Sequence, residues 1–368
     1  MKIYLVGGAV RDQLLGLPIT ERDYVVVGAT IDEMLSKGFR QVGKEFPVFL
    51  HPKTNEEYAL ARMERKVKPG YKGFTFDSSP LVTLEDDLIR RDLTINAMAQ
   101  TLEGELIDPY HGKADLEKKI LRHVSLAFVE DPVRILRVAR FLARYTSLGF
   151  SVAPETINLM QQMAAAGEVD ALVPERVWKE WERALSEKNP EKFFAVLHDC
   201  GALKKLFPEI SMNDAGMKAL CEAEKLTDLP VVRFAALLHH LGSKSAVATL
   251  CKRYRVPNAY RELAQLVVLH ADHALNAQHQ SAAEMLALFN ALDIFRREER
   301  FQQFLLACQS VARVRQVKFD SDWLTSCAHA AKSYNVQELL AQGLIGNQLV
   351  EKIKEEREKK ISAWLKKA

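Results

Sequence analysis

Cysteine is scarce and scattered in this 368-residue chain, with five residues at 200, 221, 251, 308 and 327 and no Cys-x-x-Cys pair. An odd, widely spaced set excludes a disulfide framework and a cysteine-based zinc site, and predicts reduced, buried thiols in a cytosolic protein. Thirteen prolines and 17 glycines are few for this length, which argues against long disordered stretches. No apolar run approaches the roughly 18 residues that a transmembrane helix requires. The opening Met1-Lys2-Ile3-Tyr4-Leu5-Val6 meets a glycine pair too soon to be a signal peptide. Neither sign of charge dominates: 51 basic residues against 48 acidic ones give +3. That balance neither demands nor excludes nucleic acid, and the placement of the basic residues matters more than their sum. No tandem repeat and no low-complexity segment is present. The expectation is a cytoplasmic protein with no membrane partner.

Hydrophobic residues make up 48% of the chain, enough to bury a core, and the length suggests two or three domains. The first hundred or so residues alternate strand and helix signals. Strands are predicted at Ile3–Val6, Asp23–Val27, Phe39–Val42, Val48–Leu50 and Glu57–Arg62, all rich in β-branched and aromatic residues. Thr30-x-x-Glu33 and Thr83-x-x-Asp86 are capping boxes that open helices, the second expected to carry the apolar positions Leu88, Leu93, Ile95 and Met98. Between them, Lys66–Phe74 holds three lysines, two glycines and a proline and reads as a mobile basic loop. Beyond about Ile120 helical periodicity takes over: Asp131–Tyr145, Pro154–Ala166, Pro174–Leu185, Pro190–Asp199, Val231–His240 and onward. Prolines recur near the starts of these helices, where a missing N–H costs little. The fold class is therefore α+β, a head of mixed sheet and helices followed by an all-α remainder. The last stretch, 350–368, is a Lys-rich charged helix.

The head carries the chemistry. The apolar strand before Gly7-Gly8 and the helix after them leave backbone N–H groups exposed at a helix start, where they and the helix dipole attract phosphate. Arg11, one turn on, can add a charge-assisted contact. Most glycine pairs are only turns. Glu21 and Asp23 are two apart on a strand and so point the same way, with Arg22 opposite. Two carboxylates on one face can bind Mg²⁺, a hard cation that prefers oxygen. Alone, such a pair is usually a solvated strand end. The conjunction of the glycine pair with the acid pair is far rarer than either part and describes a site for a nucleoside triphosphate. Glu57, on the strand Glu57–Arg62, is a candidate third carboxylate for a two-metal site. By residue type alone it is an edge-strand surface acid.

Leu5-Val6-Gly7-Gly8-Ala9-Val10-Arg11-Asp12 with the acid pair resembles the polymerase-β-type nucleotidyltransferase superfamily. Three further segments narrow the resemblance: Arg90-Arg91-Asp92-Leu93-Thr94-Ile95-Asn96-Ala97, Glu130-Asp131-Pro132-Val133-Arg134 and Pro174-Glu175-Arg176-Val177-Trp178. In order and spacing they are similar to the motifs of class II tRNA nucleotidyltransferases, the bacterial kind of CCA-adding enzyme. The similarity is strong to about Ile210 and weaker beyond. It implies a catalytic head over 1–125, a helical nucleotide-selecting neck over 126–210 and a tRNA-binding helical body and tail over 211–368. It implies that Gly8 and Arg11 contact the incoming triphosphate and that Glu21 and Asp23 hold Mg²⁺. It also implies that Arg91 and Asp92 lie at the sugar and phosphates, that Asp131 and Arg134 face the base, and that Arg137 and Arg140 reach the phosphates. The implied substrates are CTP, ATP and tRNA. Lys252-Arg253-Tyr254-Arg255 and the terminal lysines are expected to grip tRNA by its phosphates and shape.

The base-reading pair also has a reason of its own. Residues at i and i+3 on a helix are neighbours. A carboxylate accepts hydrogen bonds and a guanidinium only donates. Cytosine and adenine each present an amino donor beside a ring-nitrogen acceptor, which Asp131 and Arg134 match. Uracil and guanine present the reverse and would leave buried groups unpaired, at about 1–3 kcal/mol each. The bland alternative is a helix cap at Asp131 and a wet face formed by Arg134, Arg137, Arg140 and Arg144.

Two departures from the family pattern stand out. Its usual metal pair is Asp-x-Asp, whereas Glu21 takes the first place here. Relatives often carry a His-Asp phosphohydrolase region. Here Phe234–Gly242 looks like its remnant, with His240 where the metal-binding Asp would be, a histidine-free Ile210–Pro230 before it, and only His270 and His273 after it. No metal-dependent phosphohydrolase activity is expected from such a set. Three other activities share parts of the pattern: a bacterial poly(A) polymerase, a CC- or A-adding partial enzyme, and a non-catalytic RNA-binding module. The basic loop speaks against CC-only addition, and the retained acids speak against the last.

Overall fold

The computed structural model describes residues 1–42, 47–66, 74–334 and 336–367. They form two compact units, Met1–Pro208 and Glu209–Ala368.

The first unit is built on a mixed sheet. Its strands are β1 (Lys2–Val6), β2 (Asp23–Val27), β3 (Arg40–Gln41), β4 (Val48–Leu50), β5 (Glu57–Leu60), β8 (Ala99–Thr101) and β9 (Leu106–Ile107), in the order β3-β4-β5-β2-β1-β8-β9. β1 pairs antiparallel with β2 and β8, and β2 runs parallel to β5 with Asp23 opposite Glu57. Glu57 thus lies on an interior strand, not at an edge. The hairpin β6 (Met63–Lys66) and β7 (Phe74–Asp77) stands apart as its own two-stranded sheet. The lysine-rich loop between them, 67–73, lies outside the described residues.

Alternation along β2 explains how this sheet buries two faces. Val25 packs with Val6, Leu84, Leu88 and Ala97, and Val26 with Met34, Phe49, Tyr58 and Leu60 on the other side. The first layer is covered by α3 (Leu84–Ile89) and the second by α2 (Ile31–Ser36). Both helices open with complete capping boxes, at Thr30/Glu33 and Thr83/Asp86, so two backbone donors are satisfied at each start. Asp23 shares the parity of Val25, which places it on the α3 side.

The chain departs from the sequence-based expectation after α3. That helix ends at Ile89 instead of running to Met98. The Asp92 carboxylate draws the chain into a tight turn, accepting from the Leu93 N–H at 2.9 Å and from Asn96 Nδ2 at 3.0 Å. A 3₁₀ turn at Thr94–Asn96 follows, and Ala99–Thr101 then joins the sheet beside β1. Local side-chain to backbone bonding here overrides helical periodicity. The expected strand over Phe39–Val42 narrows to two residues, and that over Glu57–Arg62 stops at Leu60.

The rest of this unit is helical apart from the short parallel pair β10 (Ile120–Leu121) and β11 (Ser151–Val152). Its helices are α1 (Gly8–Leu14) and α4 (Gly112–Lys118) in the head, then α5 (Val133–Tyr145), α6 (Pro154–Ala165), α7 (Pro174–Leu185), α8 (Glu191–Asp199) and α9 (Leu203–Leu206). α5 packs against α7 and α8 around Trp181, Phe193, Phe194 and Phe207, all fully buried.

The second unit is helical, from Ala215–Glu224 to Gly346–Leu365. Where the phosphohydrolase remnant was expected, the helix Pro230–Leu238 runs into a 3₁₀ turn at His239–Leu241. The His239 ring lies 2.8 Å from the Ala236 carbonyl. His240 sits between the Leu237 and Glu209 carbonyls, 3.2 Å from Asp214 Oδ2. Among the described residues, no three His, Cys, Asp or Glu side chains are grouped to hold a metal ion. Among the described residues, no helix is long and apolar enough to cross a membrane.

Candidate active site

A cleft of about 1000 Å³ opens in the first unit between the end of the sheet at Gly7–Gly8 and the helices α5 and α7. Ten arginines and five carboxylates line it, a strongly positive surface suited to a polyphosphate. Every candidate residue from the sequence reaches it: Gly8, Arg11, Glu21, Asp23, Glu57, Arg91, Asp92, Asp131, Arg134, Arg137 and Arg140.

One wall is the end of the sheet. Gly7 caps α1 with φ +69° and ψ −123°, a conformation that only glycine adopts without strain. A Cβ there would stand 2.8 Å from Arg91 Nη1, so the glycine also lets a guanidinium lie directly over the turn. Arg11 is 3% exposed. Its Nε donates to Asp12 at 2.8 Å, and it lies within about 5 Å of the Phe141 and Tyr145 rings. Asp12 in turn accepts from Tyr145 Oη at 3.1 Å and from Arg144 Nη2 at 3.3 Å. This cluster joins α1 to α5 and fixes the height of Arg11 above the glycines.

The acids occupy the same wall. Asp23 faces the cleft from β2, with Glu57 at its register position on β5 and Glu21 two residues before it. Loss of water inside the cleft pushes the Asp23 carboxyl above its ordinary range; Arg91 opposes the shift and Glu21 adds to it. A carboxylate under that pressure gains from a cation. The donors are all oxygen, which suits Mg²⁺, but among the described residues no three carboxylates are grouped to hold it, so a nucleotide's phosphates would supply the remaining oxygens.

The opposite wall differs from the sequence-based picture in how its charges are tied. Asp131 is not on the helix: α5 begins at Val133 with Pro132 as its cap, because proline suits a helix start and Asp131 accepts from the Val133 N–H at 3.2 Å. Its carboxylate is gripped by Arg176 of α7 through two bonds, Nη1 to Oδ1 at 3.0 Å and Nη2 to Oδ2 at 2.8 Å. Arg134 spends two donors on backbone, reaching the Ala127 and Arg90 carbonyls at 2.6 Å each. Arg137 Nε donates to Asp92 Oδ2 at 2.6 Å, and Arg140 Nε to the buried Glu180 at the same distance. Burial alone would raise the Asp92 pKa, but Arg137 and Asn96 outweigh it and hold this carboxyl well below the usual range. Arg137 is stabilised as the cation, with Asp92 the main cause.

Sequence reasoning missed the partners. Arg176 stood in a quoted motif without a role. Glu180 and Asp87 belong to no recognisable motif, although each is an acid on an otherwise apolar helix stripe, between Val177 and Ala184 and between Leu84 and Leu88. That is the one local signal that could have exposed them, since carboxylates on a buried face need cationic partners.

A glycine turn over a helix start, one acid opening the next strand with a second just before it, and a facing wall of arginines define a nucleotidyltransferase site. Residues 3–122 match the family described as the poly A polymerase head domain, and residues 149–213 match the probable RNA- and SrmB-binding site of polymerase A. The chain is 51% identical over 365 residues to the CCA-adding enzyme of Pseudomonas putida (strain W619), covering 99% of this chain and 98% of that one. It is 55% identical over 312 residues to the CCA-adding enzyme of Coxiella burnetii (strain RSA 493 / Nine Mile phase I), covering 85% and 82%. A solved apo structure of a CCA-adding enzyme superposes with a TM-score of 0.74 at 25% identity, covering 98% of this chain and 88% of that one. The chain belongs to the CCA-adding enzyme family.

Proposed function

We propose that this chain builds the CCA end of tRNA from CTP and ATP without a nucleic-acid template, using the cleft of its first unit for every step. The observation that carries the reading is the meeting in one cleft of the Gly7–Gly8 turn, the acids Glu21, Asp23 and Glu57, and the pair Asp131 and Arg134, in a chain 51% identical to a CCA-adding enzyme. In this reading 1–125 is the catalytic head, 126–210 the nucleotide-selecting neck and 211–368 the body that holds tRNA, working in the cytoplasm.

Glu21 and Asp23, with Glu57 beside them, would hold Mg²⁺. When bound, that ion lowers the pKa of the attacking hydroxyl and neutralises charge on the triphosphate. The chain's own residues do the rest. The Gly8 turn and Arg11 receive the triphosphate, and Arg137 and Arg140 meet its phosphates from the other wall. The 3′-oxygen of tRNA attacks the α-phosphorus, the bond from that phosphorus to the bridging oxygen breaks, and pyrophosphate leaves. Arg91 and Asp92 sense the ribose. Asp131 accepts from the amino group of cytosine or adenine and Arg134 donates to the ring nitrogen. Asp131 Oδ1 takes bonds from Arg176 Nη1 and the Val133 N–H, whereas Oδ2 takes one from Arg176 Nη2 and keeps a lone pair for the base.

The test supplies tRNA ending at its discriminator base with CTP, ATP or both, and sizes the products. Two added nucleotides with CTP alone and three with both are expected. Long adenylate tails would assign the site to poly(A) synthesis, two nucleotides with both substrates to a CC-adding enzyme, and no product to an RNA-binding module.

A further inference from the structure

Asp87 is a charged residue with no exposure at all, seated between Leu84 and Leu88 on the buried stripe of α3. It does not touch the cleft, yet three groups at the cleft's rim converge on it. Oδ2 accepts from Arg91 Nη2 at 3.0 Å, Oδ1 accepts from Arg90 Nη2, and Oδ1 also accepts from the Arg62 N–H at 3.3 Å. Arg90 closes the cluster by donating Nε to the Arg62 carbonyl at 3.0 Å. Burial would raise the pKa of this carboxyl, but Arg90 and Arg91 more than cancel that and leave it below its ordinary range.

What the cluster holds is directional. Arg91 has one bond to Asp87 and a long 3.5 Å contact to the Asn96 carbonyl, while its buried Nε has no partner. Its Nη1 hangs over Gly7, where a Cβ would collide with it. Nη1, with only that long contact, is the guanidinium donor placed over the glycine turn, and it keeps the capacity to meet a ligand's oxygen there. Arg90 reaches the other wall, because its carbonyl is an acceptor for Arg134 Nη2 at 2.6 Å. Arg62 lies one residue before β6, the strand that leads into the lysine-rich segment.

We propose that Asp87 is a positioning residue for nucleotide binding: it aims Arg91 at the sugar–phosphate part of the incoming nucleotide and, through Arg90, ties that contact to the base-reading Arg134. The ribose-and-phosphate role of Arg91 belongs to the function proposed above, so this inference rests on that reading. One buried carboxylate thus links sugar, phosphate and base recognition without touching the nucleotide.

The experiment measures kcat and KM for CTP, dCTP and ATP at saturating tRNA for Asp87→Asn, Asp87→Glu, Arg91→Ala and the double variant Asp87→Asn/Arg91→Ala. Thermal unfolding of each is recorded. Asp87→Asn should raise the CTP and ATP KM at least tenfold, more than it lowers kcat, and cut the preference for CTP over dCTP at least fivefold. In the Arg91→Ala background the same change should add less than threefold, because residues acting through one contact are not additive. Unchanged KM and unchanged sugar preference in Asp87→Asn, with kcat falling only as the folded fraction falls, would overturn the proposal. So would full additivity. If Asp87→Asn does not fold, Asp87→Glu decides: it keeps the charge and moves it by one methylene, and its KM must still rise. Should Arg91→Ala itself leave KM and sugar preference intact, the assigned role of Arg91 fails, a result distinct from the failure of Asp87 to act through it.

Discussion

Replacing Arg176 by Gln should cost this enzyme both rate and base selectivity, though Arg176 belongs to neither the glycine turn nor the acid pair. The guanidinium holds Asp131 by two parallel bonds of 3.0 and 2.8 Å. The two side chains are 31% and 24% exposed, so water competes with the pair without dissolving it. Unit charges about 4 Å apart at an effective dielectric of about 20 attract by about 4 kcal/mol. Desolvation takes back part of that, and hydrogen bonds to charged groups contribute about 1.5–3 kcal/mol net. Gln offers a neutral amide in place of the fork, and Asp131, still tied to the Val133 N–H but no longer clamped, can turn away from the base edge. Loss of that orientation translates to a fall of roughly 10- to 150-fold in kcat/KM for both CTP and ATP. The preference for CTP over UTP should shrink by a similar factor, because rejection of uracil relies on an acceptor fixed in place. Single-turnover addition of C to tRNA lacking CCA, and of A to tRNA ending in CC, measures both numbers. Asp131→Ala should erase the effect of Arg176→Gln in the double variant. An Arg176→Gln enzyme within threefold of the parent on CTP and ATP, with unchanged rejection of UTP, would mean that Asp131 needs no clamp.

Three further outcomes are expected. Gly7→Ala should destabilise the protein by about 1–3 kcal/mol for its glycine-only conformation and raise the nucleotide KM roughly tenfold as the new methyl displaces Arg91, the loss of one charge-assisted contact; thermal unfolding and steady-state kinetics separate the two. Glu21→Asp should stay within about one order of magnitude of the parent rate, since charge and oxygen donors are preserved, and a large gain would show that the longer acid impairs metal binding. Asp92 has a folded pKa below its ordinary 3.8, so the stability it contributes is complete above that pH and drains away as acid passes through the folded value; Asp92→Asn should lower the melting temperature at neutral pH and flatten its decline below about pH 4, and an unchanged acid slope would refute the assignment.

Where the chemistry depends on spacing along one strand or one turn, the residues were legible in order. Val6-Gly7-Gly8 reads as strand, turn and helix start because apolar β-formers meet the one residue type that tolerates φ +69°. Glu21 and Asp23 read as a pair on one strand by its period of two, but β2 begins at Asp23; Glu21 lines the same cleft from the irregular chain just before it. The capping boxes at Thr30 and Thr83 were equally plain, since both partners lie within one turn.

Long-range electrostatics were not legible. Nothing near Asp131 announces that its partner is Arg176, 45 residues on, or that Arg140 belongs to Glu180. α3 stops at Ile89 although the apolar pattern continues, because the Asp92 carboxylate finds Leu93 and Asn96 close by and Asp87 finds two arginines to hold. Sequence alone thus determined which groups this protein brings to the cleft: its glycines, its acids and its arginines. Only the tertiary structure decided which arginine answers to which carboxylate. A salt bridge is chosen by distance and burial in the folded chain, and those are properties of packing that no local pattern encodes.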